Sequence, residues 1–150
     1  AVHYISCMVV PHIKGVLESV LYADDLLPMR TFYAQVLGLE EVDYEPDRHI
    51  FFRCGDGMSL IFQSVSTQQT VVRIGDGVIP RHGTHGDGHL AFAVSSDDLA
   101  RWHQWLTSQV GKIESEITWN VSQPNIRSIY FRDPAGNSIE LACPEMWWKS

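Results

Sequence analysis

Glu18, His89 and Glu140 are the residues of this chain whose types and placing could do chemistry together. Glu18 stands in "VLESVLY", Glu140 stands in "SIEL" between Ile139 and Leu141, and His89 opens "HLAFAV". Successive side chains of a strand point to opposite faces, so Glu140 points away from its two aliphatic neighbours. A carboxylate carried on an apolar strand is costly unless a cation or a metal pairs it. Two such acids and one imidazole, converging from paired strands, make a two-oxygen, one-nitrogen set. That set could hold one divalent cation and leave positions open for substrate and water.

A repeated scaffold must position them. "IFFRCGDGMSLIF" (Ile50 to Phe62) and "IYFRDPAGNSIEL" (Ile129 to Leu141) say nearly the same thing 79 positions apart. The likeness extends upstream, where "ESVLYADDL" is echoed by "HLAFAVSSDDL". Self-similarity of this kind outranks local assignment. Glu18 opens the first strand of its copy where His89 opens the counterpart, and the two 13-residue stretches, laid side by side, set Ile61 against Glu140. After each Asp-Asp-Leu comes a helical pattern. The first has Pro28 in its opening turn, Phe32, Val36 and Leu37 at helical spacing, and Gly38 as a stop. The second has Trp102, Trp105, Leu106 and Gln109 at that spacing and stops at Gly111. Asp24, Asp25, Asp97 and Asp98 read as caps on free amides at the two helix starts.

Beyond each helix the pattern turns to period two. Strands are expected at about 40–44, 50–53 and 58–62, and again at about 113–119, 127–132 and 138–142. The fold class is therefore α+β, with two tandem βαβββ modules pairing into a half-open barrel around a shared concave site. Module 15–64, a polar, Gly-rich connector 65–86, module 87–143 and a C-terminal tail make one domain of 15–150, preceded by an N-terminal extension 1–14 in which Met8 is an alternative start.

With 150 residues, 45% apolar and 19% charged, the composition is that of a globular chain. A formal charge of −7, with 11 basic residues and no basic cluster, disfavours nucleic acid and anionic membrane as partners. No apolar run approaches the roughly 20 residues of a membrane span, and the first residues lack the pattern of a signal peptide. Three scattered cysteines, Cys7, Cys54 and Cys143, argue against a disulfide framework and for a reducing, cytoplasmic compartment.

The doubled pattern, with "DLLPMRTFYAQVLGLE", "GDGHLAFAV" and "YFRDPAGNSIEL", resembles the vicinal oxygen chelate superfamily, which groups glyoxalases, bleomycin-resistance proteins and extradiol dioxygenases. The resemblance covers roughly Val16 to Pro144. It implies one divalent metal ion (manganese, nickel, magnesium, iron or zinc) on Glu18, His89 and Glu140, with a small-molecule substrate and a homodimer as the assembly. A fourth ligand of the glyoxalase I kind would fall on Ile61, or on Phe62 in a shifted register, and neither can supply it. Tyr130, ten residues before Glu140, matches the active-site tyrosine of the dioxygenases and would serve as an acid or hydrogen-bond donor.

The remaining polar residues are read conservatively. His82 and His85, in "RHGTHGDGH", belong to a loop leading into the His89 strand, where loop polarity or contact at the substrate's edge is expected rather than ligation. Of the two, His85 is the candidate for proton transfer. Arg53 and Arg132 match across the repeat and suggest pairing with the following turn. Three functions follow. The preferred one is a metal-dependent lyase or isomerase in which the cation acts as a Lewis acid and Glu18 alternates between ligand and base. The others are an extradiol-like iron dioxygenase and a metal-free protein that sequesters a cationic drug among Tyr22, Phe51, Trp119 and Tyr130.

Overall fold

A computed structural model describes residues 8–148. Cys7 and the first half of the expected extension lie outside the described residues; 8–17 carry neither helix nor strand and are exposed.

The first module runs β1 (Glu18–Ala23), α1 (Leu26–Thr31), a wider π turn (Phe32–Val36), β2 (Glu40–Glu45), β3 (His49–Cys54) and β4 (Gly57–Gln63). The second runs β7 (His89–Ala93), α3 (Ser96–Val110), β8 (Ser115–Thr118), β9 (Arg127–Arg132) and β10 (Ser138–Ala142). The sheets have the same order, β1-β4-β3-β2 and β7-β10-β9-β8, with the first pair parallel and the others antiparallel. The doubled βαβββ pattern is therefore real. The helix starts divide the aspartates' roles: Asp25 accepts from the Leu27 amide, whereas Ser95 caps α3 and leaves Asp97 and Asp98 in its first turn, where the helix dipole favours them. Gly38 and Gly111 end the helices at φ of +71° and +73°, a conformation costly for side chains with a Cβ.

The connector is less irregular than its composition suggests. It holds α2 (Ser64–Gln69) and a hairpin of β5 (Val72–Ile74) with β6 (Gly77–Ile79).

One hydrophobic core spans both modules. It joins Leu21, Ile50, Phe52 and Ile61 of the first sheet to Ile129, Phe131, Ile139 and Leu141 of the second, with Met29, Phe32 and Leu106 from the helices. Polar links reinforce it: the buried Tyr33 hydroxyl donates to Asp133 Oδ2 at 2.7 Å, and the Trp105 indole donates to the Val36 carbonyl at 2.8 Å. The helix-bearing faces thus meet within the chain. The opposite faces carry the exposed Glu18, Val20, His89 and Ile117 together with the buried Leu60, Ser128 and Glu140, and the two sheets do not close into a barrel.

Register decides which residues of the two copies correspond. In the second module Arg132 pairs with Ser138 and Tyr130 with Glu140; in the first, Arg53 pairs with Met58 and Phe51 with Leu60. The counterpart of Glu140 is Leu60, and the ungapped match to Ile61 is corrected. The β3–β4 turn is one residue shorter than the β9–β10 turn, and with a side-chain period of two that single residue moves Ile61 to the core face, where it is fully buried. Glu18, opposite Met58, does correspond to His89, opposite Ser138.

Candidate metal centre

Strand pairing builds the site on the second sheet. Glu140 lies in register between Ala91 of β7 and Tyr130 of β9, and His89 lies two residues from Ala91 on the same face. Its Nδ1 is 2.9 Å from the Ser138 carbonyl, which can only accept, so Nδ1 carries the proton. In the neutral ring the lone pair then sits on Nε2, which is 3.5 Å from Glu140 Oε1. Backbone bonding of one nitrogen to present the other is the arrangement found behind ligating histidines. The imidazole is half exposed; Glu140 is only 4% exposed.

The carboxylate's other oxygen is already engaged. Ser128 Oγ lies 2.7 Å from Glu140 Oε2, and the Trp119 indole nitrogen lies 2.8 Å from Ser128 Oγ. Tyr130 lies beside the acid and nearly parallel to the His89 ring, centroids 6.4 Å apart. Burial, reinforced by the Glu140 charge, raises its pKa, so its phenol stays protonated at neutral pH.

Glu18 is not part of this pair. It is exposed at the start of β1 on the other sheet, and among the described residues no three of His, Cys, Asp and Glu gather as a metal would need. His85 turns to Asp24, with Nδ1 3.4 Å from its Oδ1, and no bond joins it to His89 or Glu140. His82 is more firmly held than loop polarity predicts: its Nδ1 is 2.6 Å from the Tyr22 hydroxyl, its amide donates to Thr67, and its ring meets Phe62 edge-on. Arg132 does bond the following turn, donating to the Gly136 carbonyl, and also forks onto Glu114; Arg53 pairs with Glu40 at 3.6 Å. Burial pushes the Cys54 thiol up, against a nucleophile there. A groove of about 750 Å³ between the π turn and α3 is lined by residues such as Gly38, Trp102 and Trp105 and by none of the site residues.

Sequence reasoning missed Ser128 and gave Trp119 no bonding role. Alternation offered the clue, because Ser128, Tyr130 and Arg132 share one face of β9.

Residues 10–141 match the family model described as "Glyoxalase/Bleomycin resistance protein/Dioxygenase superfamily". The chain belongs to this superfamily. A lactoylglutathione lyase from Agrobacterium tumefaciens is similar along nearly its whole length, at 33% identity over 90% of this chain and 97% of that one, with a TM-score of 0.80. The metallothiol transferase FosB of Staphylococcus epidermidis is 36% identical over 64 residues, which are 42% of this chain and 44% of that protein; the chain matches less than half the length of this curated relative. FosX from Listeria monocytogenes, solved with Mn(II) and sulfate, is 20% identical over 88% of this chain and 91% of its own, with a TM-score of 0.62, and shares the fold. No described helix is long and apolar enough to cross a membrane.

The residues at the site fit a metal in part. His89 Nε2 and Glu140 Oε1 are one nitrogen and one anionic oxygen facing each other across a gap too long for a good hydrogen bond, a donor pair suited to a divalent cation.

Proposed function

We propose that the protein is a divalent-metal-dependent enzyme acting on a small oxygen-bearing substrate, of the lyase or isomerase kind. The observation that carries this reading is the His89 Nε2 and Glu140 Oε1 pair, 3.5 Å apart, with each partner's other polar atom occupied by Ser138 or Ser128. A bound cation (manganese, nickel, magnesium, iron or zinc) would polarise a substrate oxygen and steady the negative charge that develops on it. His89 and Glu140 would hold it from one sheet. Tyr130, protonated and beside Glu140, would donate a hydrogen bond or a proton to the substrate.

Glu18 is the third ligand in this reading, and it would come from a second copy of the chain. The helix-bearing faces are consumed in the shared core, so the first sheet of one copy is free to cover the second sheet of another. A homodimer would then form two sites, each with His89 and Glu140 from one copy and Glu18 from the other. Glu18, exposed at the start of its strand, is the one suited to yield its place to substrate and take up a proton.

Elemental analysis and sedimentation of the chelator-free protein test this, beside Glu140→Ala, Glu18→Ala and a 1:1 mixture of these two variants. The expected result is a dimer with about one metal per chain, little metal in either variant, and partial recovery in the mixture, where one of the two sites is intact. A monomer without metal that also takes up none on addition refutes the reading. Iron, found in place of the other metals, would favour the dioxygenase alternative that Tyr130 also suits.

A further inference from the structure

The hydrogen bonds behind Glu140 have a fixed direction. An indole nitrogen only donates, so Trp119 Nε1 gives its proton to Ser128 Oγ at 2.8 Å. The serine has one hydroxyl proton, and a carboxylate at 2.7 Å is a far better acceptor than the Met146 thioether at 3.8 Å. The proton therefore points at Glu140 Oε2. All of this is enclosed: Ser128 is fully buried and Glu140 nearly so.

We propose that Ser128, backed by Trp119, is the positioning residue of the site: it holds the Glu140 carboxylate in one rotation, with Oε2 engaged and Oε1 turned to His89, and so sets the affinity for a cation. This rests on the reading of His89 and Glu140 as ligands. The first module supplies an internal control. There the counterpart of Glu140 is Leu60, and the residue corresponding to Ser128 is His49, opposite Phe62 as Ser128 is opposite Ala142. His49 bonds instead to Asp43 Oδ2 at 2.7 Å and stacks on Phe51. The serine relay is present where a carboxylate needs aiming and absent where the strand carries leucine. Without the hydroxyl, Oε2 would lose its donor in a buried setting and the carboxylate would turn to find another, costing the geometry a cation demands.

The test is calorimetric titration of the full chain with manganese(II) chloride, with the thermal midpoint of each protein measured alongside. Ser128→Ala is expected to bind about 10–100-fold more weakly, the usual cost of removing a group that orients a ligand. Trp119→Phe leaves the serine proton free to reach Glu140 and should cost less, while Ser128→Thr keeps the hydroxyl and should restore most of the affinity. This order, with midpoints near the wild type's, supports the relay. Wild-type affinity in both Ser128→Ala and Trp119→Phe overturns it while leaving the metal site standing, as does a well-folded Ser128→Thr as weak as Ser128→Ala. If Ser128→Ala does not fold, Trp119→Phe decides: affinity equal to wild type overturns the relay, and a loss supports it. No manganese bound by the wild type overturns the relay and the metal reading together.

Discussion

Tyr33→Phe should loosen the junction between the two modules by an amount that follows from its surroundings. The Tyr33 hydroxyl is fully buried and donates to Asp133 Oδ2 at 2.7 Å; Asp133 also accepts from the Ala135 and Asn137 amides on Oδ1 and from the Asn137 side chain on Oδ2. Removing the hydroxyl leaves Asp133 with three donors, so no charge is stranded. The loss is one hydrogen bond to a charged acceptor, about 1.5–3 kcal/mol. For a domain of this size each kcal/mol lowers the unfolding midpoint by roughly 2–4 °C, so a loss near 2 kcal/mol corresponds to about 4–8 °C. Asp133→Ala should cost more, because it strands the tyrosine hydroxyl and both Asn137 donors. Urea unfolding of both variants and the double mutant measures the coupling, expected at about 1–3 kcal/mol. Burial, with Asp133 adding to it, raises the Tyr33 pKa above the ordinary value of about 10. The sign follows: the stability this tyrosine confers is full below pH of about 10, where the unfolded chain begins to ionise, and falls as pH rises. The gap between wild type and Tyr33→Phe should therefore narrow above that pH. A Tyr33→Phe protein within about 0.5 kcal/mol of wild type, or a gap that widens with alkali, would refute the reasoning.

Two other perturbations probe how the connector and the second helix are held. Gly83 has φ of +143°, and a Cβ there would come within 2.6 Å of Gln68 Cγ and 2.9 Å of the Ser64 carbonyl oxygen. Gly83→Ala should cost about 1–3 kcal/mol and raise proteolytic cleavage within residues 80–86, because His82 would be prised from Tyr22; unchanged cleavage would count against that clamp. Trp105→Phe removes the donor to the Val36 carbonyl and should lower stability by about 0.5–1.5 kcal/mol by thermal unfolding. A variant as stable as wild type would mean water replaces the indole there.

Much of this architecture is legible in the sequence because the same information is written twice. Each Asp-Asp-Leu marks the start of a helix, and the expected strands 127–132 and 138–142 coincide with β9 and β10. The correspondence of Glu18 with His89 could be read from strand starts alone. What escaped reading depends on things that alternation does not encode. The turn between β3 and β4 is shorter by one residue, and a gapless comparison has no means to register it. Helix α2 has no apolar stripe and is started by a Gln63 side chain accepting from the Ser66 amide, an uncommon cap. "GDG" occurs three times, and two of them turn hairpins, at Gly55 and Asp56 and at Gly75 and Asp76, because strand-forming residues flank both sides. The third leads from a histidine loop into β7. Alternation says which face a residue takes, and it is silent on which sheet will cover that face; the sequence therefore leaves open whether Glu18 meets His89 and Glu140 within one chain or across two.

The unequal turns also limit how the two halves can exchange chemistry. A glutamate substituted at Ile61, the position suggested by reading the copies side by side, would enter the dry interior shared by both modules and threaten the fold. The same substitution at Leu60 would stand opposite Phe51, as Glu140 stands opposite Tyr130, on the sheet face that bears Glu18 rather than in the shared core. A designer, or a lineage, seeking a fourth ligand for the proposed centre would find it at Leu60 rather than Ile61, and a single inserted turn residue would be enough to change which position that is.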